Sequence, residues 1–298
     1  PDGSAVTTIT NKDGGASTTT VSATGQVTAA VTAPAAAVAE AQTSGQAVPL
    51  PMPEVPLTAD ASAAPIVTVT TGSDQPVKVE IPVEKTTPGT VAVIVKADGT
   101  EEVVKTSLAT DTGVTLAVPD GATVKIVDNS KSFADAASHW AGDAITFATA
   151  HELFNGTGAD SFTPNGTMTR GMMVTVLARY DGVDTSAGAT WYEKGVEWAA
   201  ENNISSGADL DAPVSREQLA AMLYRYAAAS GLDTAASSEL TGFADAGDVS
   251  GYAAEAMAWA VGAGLIGGTD KGELNPSGSA TRAEVATILM RFCENVMK

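Results

Sequence analysis

Three arginines stand directly after a hydroxyl residue, in Thr169-Arg170, Ser215-Arg216 and Thr281-Arg282. Each is followed nine residues later by a second arginine, Arg179, Arg225 and Arg291. A glycine precedes the first arginine by 14, 9 and 14 residues, at Gly156, Gly207 and Gly268. Further upstream stands an aromatic, Trp140, Trp191 or Tyr252. The hydroxyl residues read as helix N-caps. Thr281 with Glu284, and Ser215 with Gln218, have the spacing of a reciprocal capping box, whereas Thr169 is followed by Gly171-Met172 and lacks the partner. Capping leaves the arginine unexplained, because a cation in the first turn opposes the helix dipole. Its recurrence calls for an anion nearby. One reading is an internal ion pair with Asp135 or Asp245, each two residues after a phenylalanine. The other is a pocket for an external anion, built from a helix N-terminus and a guanidinium.

Apolar stripes at helical spacing surround these residues: Trp140, Ala144, Ile145 and Ala148; Met173, Val176, Leu177 and Tyr180; Leu219, Met222, Leu223 and Tyr226; Val285, Ile288, Leu289 and Phe292. Each segment thus reads as helix, glycine-containing loop, helix, over residues 131–182, 183–232 and 240–296. No segment is large enough to bury its stripe alone, so the three must pack on one another, and function belongs at their seams.

Composition narrows the field. The chain has 298 residues and a formal charge of -19, which disfavours nucleic acid as a partner. Its one cysteine, Cys293, and two histidines, His139 and His151, leave neither disulfides nor an ordinary zinc site. Asp209-Leu-Asp211 lacks the glycine and terminal glutamate of a calcium loop. No apolar run is long enough for a membrane span. Trp198 and Trp259 fall within helices and read as core, and His139 as a packing or capping residue. No catalytic constellation, metal site or cofactor site is expected, so the chain reads as a non-enzyme. Its start at Pro1 reads as a piece of a longer precursor.

Before residue 131 the pattern is β-like. Residues 1–64 read as a Thr-rich meander of hairpins or a stalk, followed by an Ala- and Pro-rich helical turn and linker. From Ile66 to Val127 valines alternate, and residues 65–130 read as a small β-sandwich spacer of about six strands. Asp98-Gly99 predicts a two-residue hairpin turn, with Lys96 opposite Glu101 and Val93 opposite Val104.

Taken together, Phe-x-Asp, His-Trp-Ala, the glycine loop, Phe-x-Pro and Thr-Arg-Ala-Glu resemble the S-layer homology repeat of bacterial surface proteins. The resemblance covers residues 131 to 296 as three copies. It implies an α+β multidomain chain whose C-terminal part is all-α, with three repeats in a pseudo-threefold arrangement. It also implies grooves that bind cell-wall polysaccharide through a pyruvylated sugar, placing the chain outside the cell, on a Gram-positive-type wall. Carried onto this sequence, Arg170, Arg216 and Arg282 would meet the ketal carboxylate. Trp140, Trp191 and Tyr252 take the aromatic position, Gly156, Gly207 and Gly268 the loop glycine, and Asp135 and Asp245 the acidic position. The middle copy departs most, lacking Phe-x-Asp and having a loop five residues shorter. Two rival readings remain: self-association within a surface array without glycan binding, and the anchor of an enzyme or adhesin lying upstream.

Overall fold

The computed structural model describes residues 4–297 and divides into two compact units. The first comprises residues 1–131 with Thr149–Glu152; the second comprises Ser132–Ala148 and residues from Leu153 onward.

The first unit opens with three antiparallel strands, β1 (Ala5–Thr10), β2 (Ala16–Val21) and β3 (Val27–Thr32). A helix, α1 (Ala35–Ser44), and the short β4 (Val48–Pro49) follow. Next come β5 (Ile66–Thr70), β6 (Val77–Pro82), β7 (Thr90–Val95), β8 (Glu101–Val103), β9 (Leu108–Ala109), β10 (Gly113–Val118) and β11 (Ala122–Asp128). One sheet has seven strands in the order β1-β2-β3-β5-β11-β7-β8; the other has four in the order β4-β6-β10-β9.

This corrects the expected fold class. The β region is not a six-strand module confined to residues 65–130. The larger sheet recruits residues 5–32, because β3 pairs in parallel with β5 through Thr28↔Ile66 to Thr32↔Thr70. Parallel neighbours need a crossover of a dozen or more residues, and α1 with the Pro-rich stretch supplies one. That stretch is packed, not a free linker: Val48, Leu50, Met52 and Val55 are buried in one cluster with valines of both sheets. The hairpin after β7 is corrected by one residue. Val93 pairs with Val103 and Val95 with Glu101, while Lys96 N–H donates to Thr100, closing a three-residue loop with Gly99 at φ 83°.

The second unit carries α2 (Gly142–Ala150) as far as Ala148, α3 (Arg170–Tyr180), α4 (Glu193–Glu201), α5 (Arg216–Ala229), α6 (Ala254–Gly262) and α7 (Arg282–Asn295). Single 3-10 turns lie at Leu240–Gly242, Ala246–Asp248 and Gly251–Ala253. The all-α expectation is overturned by isolated β-bridges that join the segments: Thr167↔Thr281, Thr169↔Pro213 and Ser215↔Ser279. The physical reason is local. Each N-cap, Thr169, Ser215 or Thr281, is extended (ψ 163°, 160° and 162°). The extended residues before it need backbone partners from another segment. Met168 N–H donates to Ala280 O, Ala280 N–H to Val214 O, and Val214 N–H to Met168 O, each at 2.9 Å, a closed ring of three bonds.

At the far end of the same three helices Tyr180, Tyr226 and Phe292 meet, with ring centroids 5.9–6.3 Å apart. Each stands ten residues after its segment's first arginine, so the ring of backbone bonds and the ring of aromatics share the same cyclic order. Beside them Cys293 is buried, and burial pushes its thiol pKa up to about 12. Phe292→Ala should cost about 3–5 kcal/mol and speed alkylation of Cys293 at neutral pH, where the native thiol resists the reagent. Unchanged labelling and melting would refute this account of the aromatic centre.

Candidate functional site

Each first arginine turns away from its own helix towards the loop of another segment. Arg282 Nε–H donates to Phe162 O (2.8 Å) and Nη2 to Asn155 O (2.7 Å), with its guanidinium 4.4 Å from the Phe162 ring centroid and 5.3 Å from that of Phe154. Arg216 Nε–H donates to Leu274 O (2.8 Å), and Nη1 pairs with Glu284 at 3.0 Å. Arg170 is held least: its Nη1 lies 3.6 Å from the exposed Asp209, and its buried Nε has no hydrogen-bond partner. For Arg282 and Arg216 the dipole penalty of a first-turn cation is thus offset by carbonyls of a neighbouring loop.

The loops receive these arginines in cyclic order, the third segment's on the first loop, the middle's on the third, the first's on the middle. Backbone bonds repeat the order: Arg282 N–H to Gly166 O, Arg216 N–H to Gly278 O and Arg170 N–H to Ala212 O. The second arginines stay within their own segment, donating to Leu153 O, Ile204 O and Leu265 O.

Two cavities among the described residues each draw on all three segments. The first, about 300 Å³, is walled by residues 153–157 and by Met172, Thr175, Val176 and Arg179 of α3, with Trp191 and Arg282 supplied by the other two segments. The second, about 700 Å³, is walled by residues 265–270 and by Glu284, Thr287, Ile288 and Arg291 of α7, with Trp140 and Arg216 supplied from elsewhere. Trp140 and Trp191 are 67% and 51% exposed, which for indoles bordering cavities leaves a ring face free to stack. Burial lowers the pKa of both Arg179 and Arg282 from the usual arginine value.

The middle position differs. Tyr252 hydroxyl donates to Glu217 Oε1 (3.1 Å), and Ser250 binds the same carboxylate through N–H (3.0 Å) and hydroxyl (2.9 Å).

Of the residues singled out from sequence, Trp140, Trp191, Arg216, Arg282, Gly156 and Gly268 line a cavity. Gly156 and Gly268 also have a packing reason: a Cβ would stand 2.6 Å from the Phe133 ring and 2.7 Å from the Phe243 ring. Gly207 takes φ 72° beside Val196. Asp135 and Asp245 are neither ion-paired to an arginine nor part of either cavity wall. Asp135 accepts N–H bonds from Phe162 (2.8 Å) and Thr163 (2.7 Å), and Asp245 from Leu274 and Asn275 (2.7 Å each). Thr163 and Asn275 sit at φ 55° and 49°, so the carboxylate holds a loop whose backbone is otherwise strained. His139 Nδ1 accepts from Ala141 N–H, a capping role. Missed from sequence were Met172, Thr175, Glu284 and Thr287, which face the cavities from the helices; the fixed spacing of nine to Arg179 and Arg291 was the available signal. Among the described residues no acidic, histidine or cysteine cluster could hold a metal, and no helix is long and apolar enough to cross a membrane.

Residues 132–172 and 242–286 match the model of the S-layer homology domain. The chain is also 28% identical, over 181 residues, to an amylopullulanase of Thermoanaerobacterium thermosulfurigenes. That stretch is 55% of this chain and 10% of the relative, so the chain spans about a tenth of the relative's length.

The Phe162 N–H bond, chiefly, lowers the pKa of Asp135. For Asp245 desolvation opposes the charge, but the Leu274 and Asn275 N–H bonds outweigh it and the pKa also falls. A depressed folded pKa stabilises above the unfolded value of about 3.9 and is lost as pH falls through the folded one. Asp135→Asn should therefore melt below wild type at pH 7, and the difference should shrink as pH drops below about 4. A gap that stays constant down to pH 2.5 would deny Asp135 this role.

Proposed function

We propose that the second unit anchors the chain non-covalently to a bacterial cell wall by holding wall polysaccharide in grooves between three S-layer homology repeats. The observation that carries this reading is the composition of the two cavities. Each brings an exposed indole, a buried guanidinium and a glycine loop to one place from separate segments. An indole offers a flat apolar platform for a sugar ring, and a guanidinium with donors to spare recognises a carboxylate. A pyruvate ketal on the sugar would present both features.

The chain is then a binding module on the outer cell surface, not an enzyme. A match to a tenth of an amylopullulanase is consistent with a module that can accompany catalytic domains. Trp140, Trp191, Arg216 and Arg282 would contact the polymer directly, while Asp135 and Asp245 would act by holding the loops.

Trp191→Ala tests the reading with little structural risk, because half of that side chain is exposed. Its truncation should weaken co-sedimentation of the full chain with purified walls by about 2 kcal/mol or more, roughly 30-fold, while the melting temperature stays close to wild type. Walls stripped of their non-peptidoglycan polymer should not retain the wild-type chain. Equal retention on stripped walls would exclude the polysaccharide as ligand.

A further inference from the structure

We infer that β1 joins two copies of the chain, pairing antiparallel with β1 of a second copy across a two-fold axis through Thr8. The inference concerns the first unit and stands apart from the anchoring reading above.

A sheet edge presents a row of unpaired N–H and C=O groups, and folded chains blunt such edges by shortness, charge or proline. Among the described residues, three of the four edges are blunted. β8 has three residues, two of them the exposed Glu101 and Glu102. β4 has two residues and ends in Pro49, and β9 has two residues. The fourth edge, β1, has none of these devices. It is six residues long, Ala-Val-Thr-Thr-Ile-Thr, with neither charge nor proline, and only Ile9 is even partly covered. Among the described residues no strand lies on its far side.

The register fixes which backbone groups face that side. Asn11 N–H donates to Gly15 O, and Ile9, Thr7 and Ala5 stand opposite Ser17, Thr19 and Val21. Hydrogen-bonded pairs alternate along an antiparallel ladder, so Ala5, Thr7 and Ile9 direct their groups to β2, while Val6, Thr8 and Thr10 turn theirs outward. The next ladder has the matching phase. Ser22 N–H donates to Gln26 O, so Thr18 and Thr20, which stand opposite Thr8 and Val6, bond to β3.

Three outward residues spaced by two are self-complementary. With Thr8 on the axis, it exchanges both bonds with Thr8 of the second copy, and Val6 does the same with Thr10 at either end. The side chains agree with this register. Val6, Thr8 and Thr10 share one face of the strand, so a threonine pair falls on the axis with a Val–Thr pair to each side.

Charge selects the occupant. At a net charge of -19 two copies repel, and a contact between them must lie where charge is absent. β1, β2 and β3 contain no charged residue. A charged strand would find no counter-charge there, whereas a second β1 brings no charge of its own. The assembly closes as a dimer, because pairing consumes the open edge of both copies and the other edges are blunted.

The test is sedimentation velocity of the full chain over a dilution series. Wild type should pass from monomer to dimer as concentration rises and stop there. Thr8→Pro removes the central outward N–H but no bond to β2, a change that an edge strand tolerates. It should weaken dimerisation about 10- to 100-fold and leave the melting temperature unchanged. Thr8→Lys and Thr8→Glu each set like charges opposite one another on the axis. Either alone should be monomeric where wild type is dimeric, and an equimolar mixture of the two should dimerise again. That mixture keeps the test decisive even where Thr8→Pro disturbs the hairpin. A monomer at every concentration, a Thr8→Pro dimer as tight as wild type, or a Lys/Glu mixture no tighter than either variant alone would overturn the assignment.

Discussion

The ring of three backbone bonds among Met168, Val214 and Ala280 is the constraint on which the second unit rests. Each residue lies two positions before a helix start, and each gives its N–H to one neighbour and its C=O to the other. No pair of segments can satisfy the ring, so removing any one leaves buried polar groups unpaired, which costs more than a typical bond contributes. The ring therefore fixes the cyclic order of the helices before any side chain is considered. Everything at the grooves inherits that order.

One inherited feature is the placement of arginine at the wrong end of a helix. Within its own segment such a residue is unfavourable. Across the seam it meets carbonyls left free by a loop with a positive φ, at Thr163 or Asn275, and there it serves as the donor that loop needs. The loop in turn is held by an aspartate, Asp135 or Asp245, from its own segment. Arginine and aspartate bind the same loop through different backbone groups, carbonyls for the one and N–H groups for the other, so each aspartate favours the neighbouring guanidinium's charge without forming an ion pair with it. In the middle segment the aspartate and five loop residues are missing, and Arg170 is accordingly the arginine with an orphaned Nε.

The sequence was most legible where one segment suffices. Cap residues, arginine spacing and helix stripes are local, and Thr169, Ser215 and Thr281 are indeed N-caps. What it hid was non-local. Nothing in the spacing says that Arg282 belongs to the first loop and not its own, and the wall made by Thr175, Thr287 and Glu284 appears only when the loops are in place. The same limit applied in the first unit. Valine alternation marked β5, β6 and β11, but the Thr- and Ala-rich β3 carries only Ala29 and Val31 inward, too weak a pattern to announce a parallel partner 38 residues away. The Pro-rich stretch misled for a related reason: proline signals extended backbone, and extended backbone can lie against a sheet as readily as it can span solvent.

Burial and charge together explain why the grooves need not be equivalent although their scaffold is. The backbone ring and the aromatic triad demand near-identical geometry of three segments, so the scaffold tolerates little variation. Positions two and three of each helix are different: at position three Gln218 and Glu284 complete a capping box, whereas Met172 leaves Thr169 to cap alone. Gly171-Met172, Glu217-Gln218 and Ala283-Glu284 differ there, and Glu284 supplies a counter-charge to Arg216 that Met172 cannot supply to Arg282. The cyclic frame thus keeps one backbone arrangement while the charges beside its three arginines differ from segment to segment.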